Sequence, residues 1–333
     1  MMNSVLKTFV VSVGVLSIAT AMSGCIVQNL GQTVEQTVKG DYFLQSDQPK
    51  RGRESFRVEV EENPDSHLAH YYYGRFLLQG EEPELALNHL SRAQALSPEK
   101  AEYQFWLGVA YGATGNIDKE EACYRAALDL DKNHLQTLIY LGHNQFAQKQ
   151  YIDALHYYYQ ALDIWPSSPS ALYNRALILH ILGRTPEERV AWLDYLERYP
   201  SGAKARQAAD YVNMTGDFNF RNHIVGATVV TLEKIRFEPF TAELSSASYD
   251  SLHVIGEVFQ DMQRGTLQVV VFQKNNKALA KDRALAVRRF LLAEFPQIKT
   301  GQIGVSWFAE PQRLSINKKK LSIDESVNFF VTE

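Results

Sequence analysis

A spacing of 34 residues recurs through the middle of the chain and constrains its fold more than any other feature. A repeat of this length is typical of stacked helix pairs, because a single pair cannot bury its own apolar face and needs a neighbour. Four columns of residues share the spacing: Gly40, Gly74, Gly108 and Gly142; Phe56, Leu90, Tyr124, Tyr158 and Trp192; Ala93, Ala127 and Ala161; and Pro64, Pro98, Pro166 and Pro200, with Lys132 in the remaining place.

Each column suits one position in such a stack. Glycine and alanine let two helix backbones approach closely, the bulky column wedges between repeats, and proline cannot continue a helix and so ends each unit. The stretch Leu107-Gly108-x-x-Tyr111-x-x-x-Gly115, followed by Tyr124-x-x-Ala127-Leu128, resembles the tetratricopeptide repeat. The resemblance implies an all-α superhelix over 33–202, with repeats at 33–66, 67–100, 101–134, 135–168 and 169–202. A polar capping helix at 203–214 is predicted to follow, within a capping and linker segment over 203–216.

The resemblance also implies a binding groove on the concave face, which the first helix of each pair lines. The groove is mostly apolar and aromatic, which suits an extended or helical segment of a protein partner. Packing within the stack is the alternative role for any one of these side chains. Repeat register places the following residues in the groove: Tyr71, Arg75, Phe105, Val109, Ile139, His143, Phe146, Tyr173 and Leu177.

The first 24 residues have the three parts of an export signal. Lys7 supplies positive charge, an apolar run extends from Thr8 to Ala21, and small residues follow. A run of about 14 residues at ~1.5 Å each spans roughly 21 Å, less than a ~30 Å hydrocarbon core. We therefore predict a cleaved signal peptide over 1–24 and no permanent transmembrane helix.

The sequence Met22-Ser23-Gly24-Cys25 resembles the bacterial lipobox, although Met22 replaces the usual leucine. The resemblance implies that Cys25 is acylated and that 25–32 is a lipidated linker. Several acyl chains anchor a protein far more firmly than one chain. Ile26 stands where many inner-membrane lipoproteins carry aspartate, which implies the periplasmic face of the outer membrane. The alternative is ordinary cleavage that leaves Cys25 as a free thiol.

The composition changes after Gly216 to runs of β-branched residues, which indicates a separate domain over 217–333. Strand-like segments are predicted within 225–237 and at 267–272, 304–308 and 326–332, with helices at 247–262 and 276–295. The order β-α-β-α-β-β predicts a small α/β sandwich. The run Lys318-Lys319-Lys320 is predicted to lie in a loop.

Two segments of this region resemble the OmpA-like peptidoglycan-binding domain over about 228–333. They are Phe237-x-x-x-Thr241-Ala242-x-Leu244 and Asn276-x-x-Leu279-Ala280-x-x-Arg283-Ala284-x-x-Val287. The resemblance implies possible peptidoglycan contacts at Asn276 and Arg283, since a guanidinium binds a carboxylate with two parallel hydrogen bonds. The family's Gly-x-x-Asp loop is replaced by Val271-Phe272-Gln273-Lys274-Asn275. The alternative is a domain that kept the fold, lost the ligand and serves as a protein contact.

We predict no catalytic residues, no metal site and no cofactor. No phosphate-binding loop, serine-hydrolase elbow or zinc-protease motif occurs, and the net charge of −4 argues against nucleic-acid binding. His67 and His70 share a helix face without further metal ligands nearby, and Cys123 is predicted to be a structural thiol.

The combined features predict a membrane-anchored periplasmic scaffold that binds envelope proteins. A role in assembling an envelope machine, such as a Tad/Flp or type IV pilus or a secretion system, is the main hypothesis. A lipoprotein that anchors the cell wall by binding peptidoglycan is the alternative.

Overall fold

The computed structural model describes residues 33–46, 48–262, 264–316 and 319–332. The predicted signal peptide, Cys25 and the linker after it lie outside the described residues. The chain divides into two compact units, which meet in sequence between Asn144 and Gln145.

The first unit consists of helix pairs. A helix over 33–45 is α1. The helices that follow are α2 (Pro49–Glu62), α3 (His67–Gln79), α4 (Pro83–Leu96), α5 (Ala101–Ala113), α6 (Ile117–Leu130) and α7 (Leu135–Ala147), whose last residues belong to the second unit. From α2 on, corresponding helices begin every 34 residues, so the spacing of the sequence is also the spacing of the helices.

The second unit begins with four helices of the same kind, α8 (Tyr151–Ile164), α9 (Pro169–Ile181), α10 (Thr185–Arg198) and α11 (Gly202–Met214). Helix α11 occupies the place of the predicted capping helix. One of its faces is fully buried, with Ala205, Ala208, Ala209 and Val212 all 0% exposed. It packs against α10 and against the first two strands of the C-terminal region.

The glycine column marks the places where helices touch. A Cβ on Gly74 would lie 2.6 Å from Cγ of Leu90, and a Cβ on Gly108 would lie 2.6 Å from Cε1 of Tyr124. Leu90 and Tyr124, both of the bulky column, are 0% exposed. The first helix of each of these pairs therefore packs its glycine directly against the bulky residue of the second helix.

Replacing Gly108 with alanine is expected to destabilise the first unit by about 1–2 kcal/mol. The gain in helix propensity, about 1 kcal/mol, is outweighed by the clash with the enclosed ring of Tyr124. Gly112→Ala in the same helix is the matched control, because its Cβ would meet the movable side-chain end of Glu120 instead. Urea unfolding followed by circular dichroism measures both variants, and equal stabilities would contradict this account of the column.

The C-terminal part of the second unit is a small α/β region with three sheets. Its elements are β1 (Phe220–Val225), β2 (Thr228–Glu233), α12 (Tyr249–Met262), β3 (Thr266–Gln273), α13 (Lys277–Glu294), β4 (Ile303–Phe308), β5 (Gln312–Ile316), β6 (Lys319–Ile323) and β7 (Glu325–Thr332). Strand β3 is central in the order β4-β3-β7, parallel to β4 and antiparallel to β7. Two antiparallel hairpins, β1-β2 and β5-β6, form the other sheets.

The apolar core of this region lies between β3 and the two helices. Alternate residues Leu267, Val269 and Val271 of β3 are buried, as expected for a strand with one face on the core. Helix α12 contributes Leu252, Ile255 and Phe259, and α13 contributes Ala280, Ala284, Val287 and Leu291.

The predicted order of strands and helices was incomplete. Strand β1 and the β5-β6 hairpin were not predicted. Lys319 and Lys320 were wrongly placed in a loop, because they begin β6, and Lys318 lies outside the described residues. The apolar residues of this hairpin alternate with polar ones in two strands of five residues each, a signal too short to stand out.

His223 of β1 is buried against Phe329 of β7, whose amide donates to its Nδ1 at 3.4 Å. Burial, and secondarily the charge of Arg221, lowers the pKa of His223 to about 3. In the unfolded chain this histidine has a pKa near 6.5. As the pH falls, it is therefore protonated in the unfolded chain before it is protonated in the folded one, which favours unfolding. We expect the second unit to lose stability as the pH falls below about 6.5, with a contribution from His223 of about 2 kcal/mol at pH 5.

The variant His223→Gln should lose this part of the pH dependence. Urea unfolding of wild type and variant at pH 7.5 and pH 5, followed by intrinsic tryptophan fluorescence, measures the difference. The explanation fails if the two proteins lose equal stability between these pH values.

Candidate functional site

The nine predicted groove residues all lie on first helices of the repeats, but their exposure differs. Six are partly exposed and therefore available at the surface: Arg75, Val109, Ile139, His143, Phe146 and Leu177. Arg75, Val109, Ile139 and His143 belong to the first unit, and Phe146 and Leu177 belong to the second.

The other three predicted groove residues are buried. Tyr71, Phe105 and Tyr173 are 5%, 2% and 7% exposed. Their rings pack on aromatic residues of other helices: Tyr71 on Tyr103 at 4.8 Å, Phe105 on Tyr140 at 5.2 Å and Tyr173 on Trp192 at 5.2 Å between ring centroids. As they stand, these side chains shape the stack and offer little surface to a ligand.

A single carboxylate of the first unit connects helices α3 and α5 with the residue that precedes α7. Glu102 of α5 accepts a hydrogen bond from the Tyr71 hydroxyl of α3 at 2.9 Å and from the Trp106 indole at 2.7 Å, both at Oε1. Its Oε2 contacts Nε2 of His134, just before α7, at 2.9 Å. The hydroxyl of Thr137 lies 2.8 Å from Nδ1 of His134. When Nδ1 accepts a hydrogen bond from this hydroxyl, the ring proton of the neutral histidine is on Nε2, which faces Glu102.

These contacts keep Glu102 ionised. Burial acts to raise its pKa, but hydrogen bonds from His134, Trp106 and Tyr71 outweigh that effect and lower the pKa to about 2. The carboxylate is thus charged throughout the physiological range and supplied with three donors.

Arg75 lies beside this cluster without an ionic partner among the described residues. Its Nη1 donates to the Tyr71 hydroxyl at 2.9 Å, and its guanidinium carbon lies 4.2 Å from the ring centroid of Trp106. Its buried Nε has no hydrogen-bond partner within the described part of the chain. Helices α3 and α5 therefore place a cation next to an aromatic ring.

Glu102, Trp106 and His134 were missed as components of this surface. Glu102 is the only charged residue in α5, and an isolated acid in an otherwise uncharged helix is the signal that could have identified it. Its partners Tyr71 and His134 could not be found in this way, because they lie 31 and 32 residues away in the sequence.

The remaining reactive side chains have structural surroundings. Burial raises the pKa of Cys123 to about 11, so its thiol stays protonated and is a poor nucleophile. His67 Nδ1 lies 2.6 Å from the Tyr103 hydroxyl, and His70 Nε2 lies 3.0 Å from the carbonyl oxygen of Pro64. Within the described ranges, no group of three or more His, Cys, Asp or Glu residues is arranged to hold a metal ion.

The two residues with predicted peptidoglycan contacts have partners inside the second unit. The Asn276 side chain caps α13 by accepting from the Leu279 amide at 3.0 Å. Arg283 is 5% exposed, and its guanidinium donates to the Thr241 carbonyl and the Glu325 carboxylate at 2.9 Å each, and to the Gln273 amide oxygen. The carboxylate that Arg283 binds is therefore Glu325 of the same chain.

None of the helices among the described residues is long and apolar enough to cross a membrane. Comparison with protein families matches the tetratricopeptide repeat over residues 37–98, 77–134 and 138–203. Together with the paired helices, this confirms the predicted repeats. Residues 37–203 are a tetratricopeptide-repeat region, and a small strand-containing region follows it.

Among curated proteins, the chain is 36% identical over 96 residues to the photosystem I assembly protein Ycf3 of Acaryochloris marina. The match covers 28% of this chain and 57% of that protein, so the chain spans little more than half of its relative.

Two solved structures have similar folds. Pseudomonas aeruginosa pilF is 17% identical, with a TM-score of 0.51 over 56% of this chain and 86% of pilF. YrrB, described as a tetratricopeptide protein with an unusual peptide-binding site, is 20% identical, with a TM-score of 0.44 over 49% of this chain and 82% of YrrB. At these identities the likeness concerns the fold alone.

Proposed function

We propose that this chain is a lipid-anchored scaffold of the bacterial envelope that binds segments of protein partners through its repeat groove. Its role would be in assembling an envelope machine such as a Tad/Flp or type IV pilus or a secretion system. Tetratricopeptide-repeat proteins mediate protein–protein interactions, and the curated relative Ycf3 is named as an assembly protein. An adaptor role without catalysis is part of the proposal.

The observation that carries the proposal is the row of partly exposed side chains on successive first helices. In the first unit, Val109 and Ile139 provide apolar surface. Arg75 provides a cation at the repeat position that Val109 holds in the following repeat. The Glu102 cluster ties the helices that bear these residues together, so the surface is ordered before a partner arrives.

Photo-crosslinking in cells tests this surface directly. A crosslinking amino acid at Ile139 is expected to give discrete products with envelope proteins, and Val109→Asp should abolish them. The same amino acid at Ala122, an exposed position of the second helix α6, is the matched control. Equal products from both positions, or none from Ile139, would overturn the groove proposal.

The proposed anchor is acylated Cys25, on the periplasmic face of the outer membrane. Metabolic labelling with palmitate should label the wild-type protein and leave Cys25→Ala unlabelled. An unlabelled wild type that is freely released from membranes would end this part of the proposal.

We propose protein contact, and not cell-wall binding, for the C-terminal region. The ion pair between Arg283 and Glu325 supports this choice, because the guanidinium needed for a peptidoglycan carboxylate is already engaged. The mature chain is expected to stay in the supernatant when purified sacculi are sedimented. Co-sedimentation that free peptidoglycan fragments compete away would favour the wall-anchoring alternative.

A further inference from the structure

Helix α1 has apolar residues on both of its sides, since Phe43 and Leu44 pack on the apolar core of the first unit. The side of α1 that faces α2 and α3 carries Gln36, which is 4% exposed and donates from Nε2 to Glu59 at 3.1 Å. Lys39 on the same side pairs with Glu59 at 2.9 Å. At Gly40, an added Cβ would meet the Tyr72 ring at 2.4 Å, so this side is in close contact with α3.

The outward side of α1 also carries apolar residues, and these are exposed. Val34, Val38 and Tyr42 are 56%, 64% and 57% exposed. Residues four apart lie on one face of a helix, so these three form a continuous stripe. We call it the α1 stripe. The terminal helices of repeat arrays normally present a polar outer face, and α1 departs from that rule.

Acidic side chains border the α1 stripe. Glu35 and Asp41 are both exposed and lie at its two edges by helical spacing. The surface that covers the stripe must therefore accept an apolar centre and should not itself be strongly anionic.

The short segment between Cys25 and α1 limits which surface can cover the α1 stripe. Eight residues, 26–33, separate Cys25 from Val34. Even fully extended, they reach only about 30 Å. If Cys25 is acylated, as the proposed function requires, α1 is held close to the bilayer surface. Tyrosine is enriched at that boundary, where its ring is apolar and its hydroxyl stays hydrated.

We propose that the α1 stripe lies on the lipid bilayer as a second, interfacial contact beside the acylated cysteine. The inference rests on the proposed anchor and adds to it a fixed side of the repeat region that faces the lipid. The preferred surface is zwitterionic, because anionic headgroups would repel Glu35 and Asp41.

A chemically supplied anchor tests the contact independently of acylation in cells. The mature chain 25–333 with Cys123→Ser has one thiol, Cys25, which is coupled to a maleimide that carries a single alkyl chain. One chain gives only weak, reversible membrane binding, so a further contribution is measurable. Partition into sucrose-loaded phosphatidylcholine–phosphatidylethanolamine vesicles is followed by sedimentation.

Val38→Asp is expected to lower the partition coefficient about tenfold, since it removes a central apolar side chain from the lipid contact. Asn88→Asp, an exposed change of equal charge on α4, should leave it unaltered. Adding phosphatidylglycerol should weaken the binding of the wild type.

Equal partition of Val38→Asp and wild type would overturn the proposal. So would a lowered melting temperature or an altered oligomeric state of Val38→Asp without vesicles, because the stripe would then be covered by protein. Failure of palmitate labelling in cells, by contrast, would remove the natural anchor without changing the vesicle result.

Discussion

Trp192→Ala is expected to destabilise the second unit by about 3–5 kcal/mol, the usual range for removing a buried large aromatic side chain. Trp192 is 0% exposed and stacks on Tyr211 with centroids 5.0 Å apart and an interplanar angle of 7°. It also meets Tyr173 edge to face at 5.2 Å. Alanine would leave a cavity and remove the contacts that Trp192 of α10 makes with Tyr173 of α9 and Tyr211 of α11. Urea unfolding monitored by circular dichroism measures the loss.

Two further substitutions sharpen this expectation. Trp192→Phe should cost much less, because the Trp192 indole nitrogen is buried without a partner among the described residues and its removal offsets part of the lost volume. Trp165→Ala is the control, since Trp165 is 45% exposed. If Trp165→Ala proves as destabilising as Trp192→Ala, the packing role assigned to Trp192 is wrong.

Arg283→Met is expected to destabilise the C-terminal region by about 3–4 kcal/mol. The substitution keeps much of the apolar stem but leaves the Thr241 carbonyl and the Gln273 side chain without their donor. Glu325 would retain Lys234 at 3.0 Å, which limits the loss. Thermal unfolding of the mature chain, followed by intrinsic tryptophan fluorescence, provides the measurement.

Arg289→Met on the same helix is the matched control for this effect, because Arg289 is exposed. Arg283→Lys should fall between wild type and Arg283→Met, since an ammonium group keeps the charge but cannot reproduce the guanidinium fork. A stable, wild-type-like Arg283→Met protein would show that the ion pair is dispensable.

The repeat helices could be predicted from sequence because their determinants are local and periodic. Glycine, proline and the bulky residues each occupy a fixed position in the 34-residue unit. The helices predicted for one repeat therefore predict those of the next repeat. The strands near 267–272, 304–308 and 326–332 were also predicted, because buried β-branched runs are a strong signal.

The burial of particular groove residues could not be predicted, because it depends on neighbours in other helices. Tyr71, for example, is covered by Tyr103 from the next repeat, 32 positions away. Arg283 is a similar case. Its partner Glu325 lies 42 residues further along the chain. Side-chain pairing over such separations leaves no mark in local periodicity.

The Glu102 cluster has a consequence for how tightly a groove of this kind can hold its partner. One carboxylate fixes the distances between α3, α5 and the start of α7, so this stretch has little freedom to flex. A segment that binds there would lose its own conformational entropy, but the repeat helices would lose little, because they are already ordered. Exchanging Glu102 for its uncharged isostere glutamine would weaken these contacts, give the helices more freedom to move and shorten the lifetime of the complex.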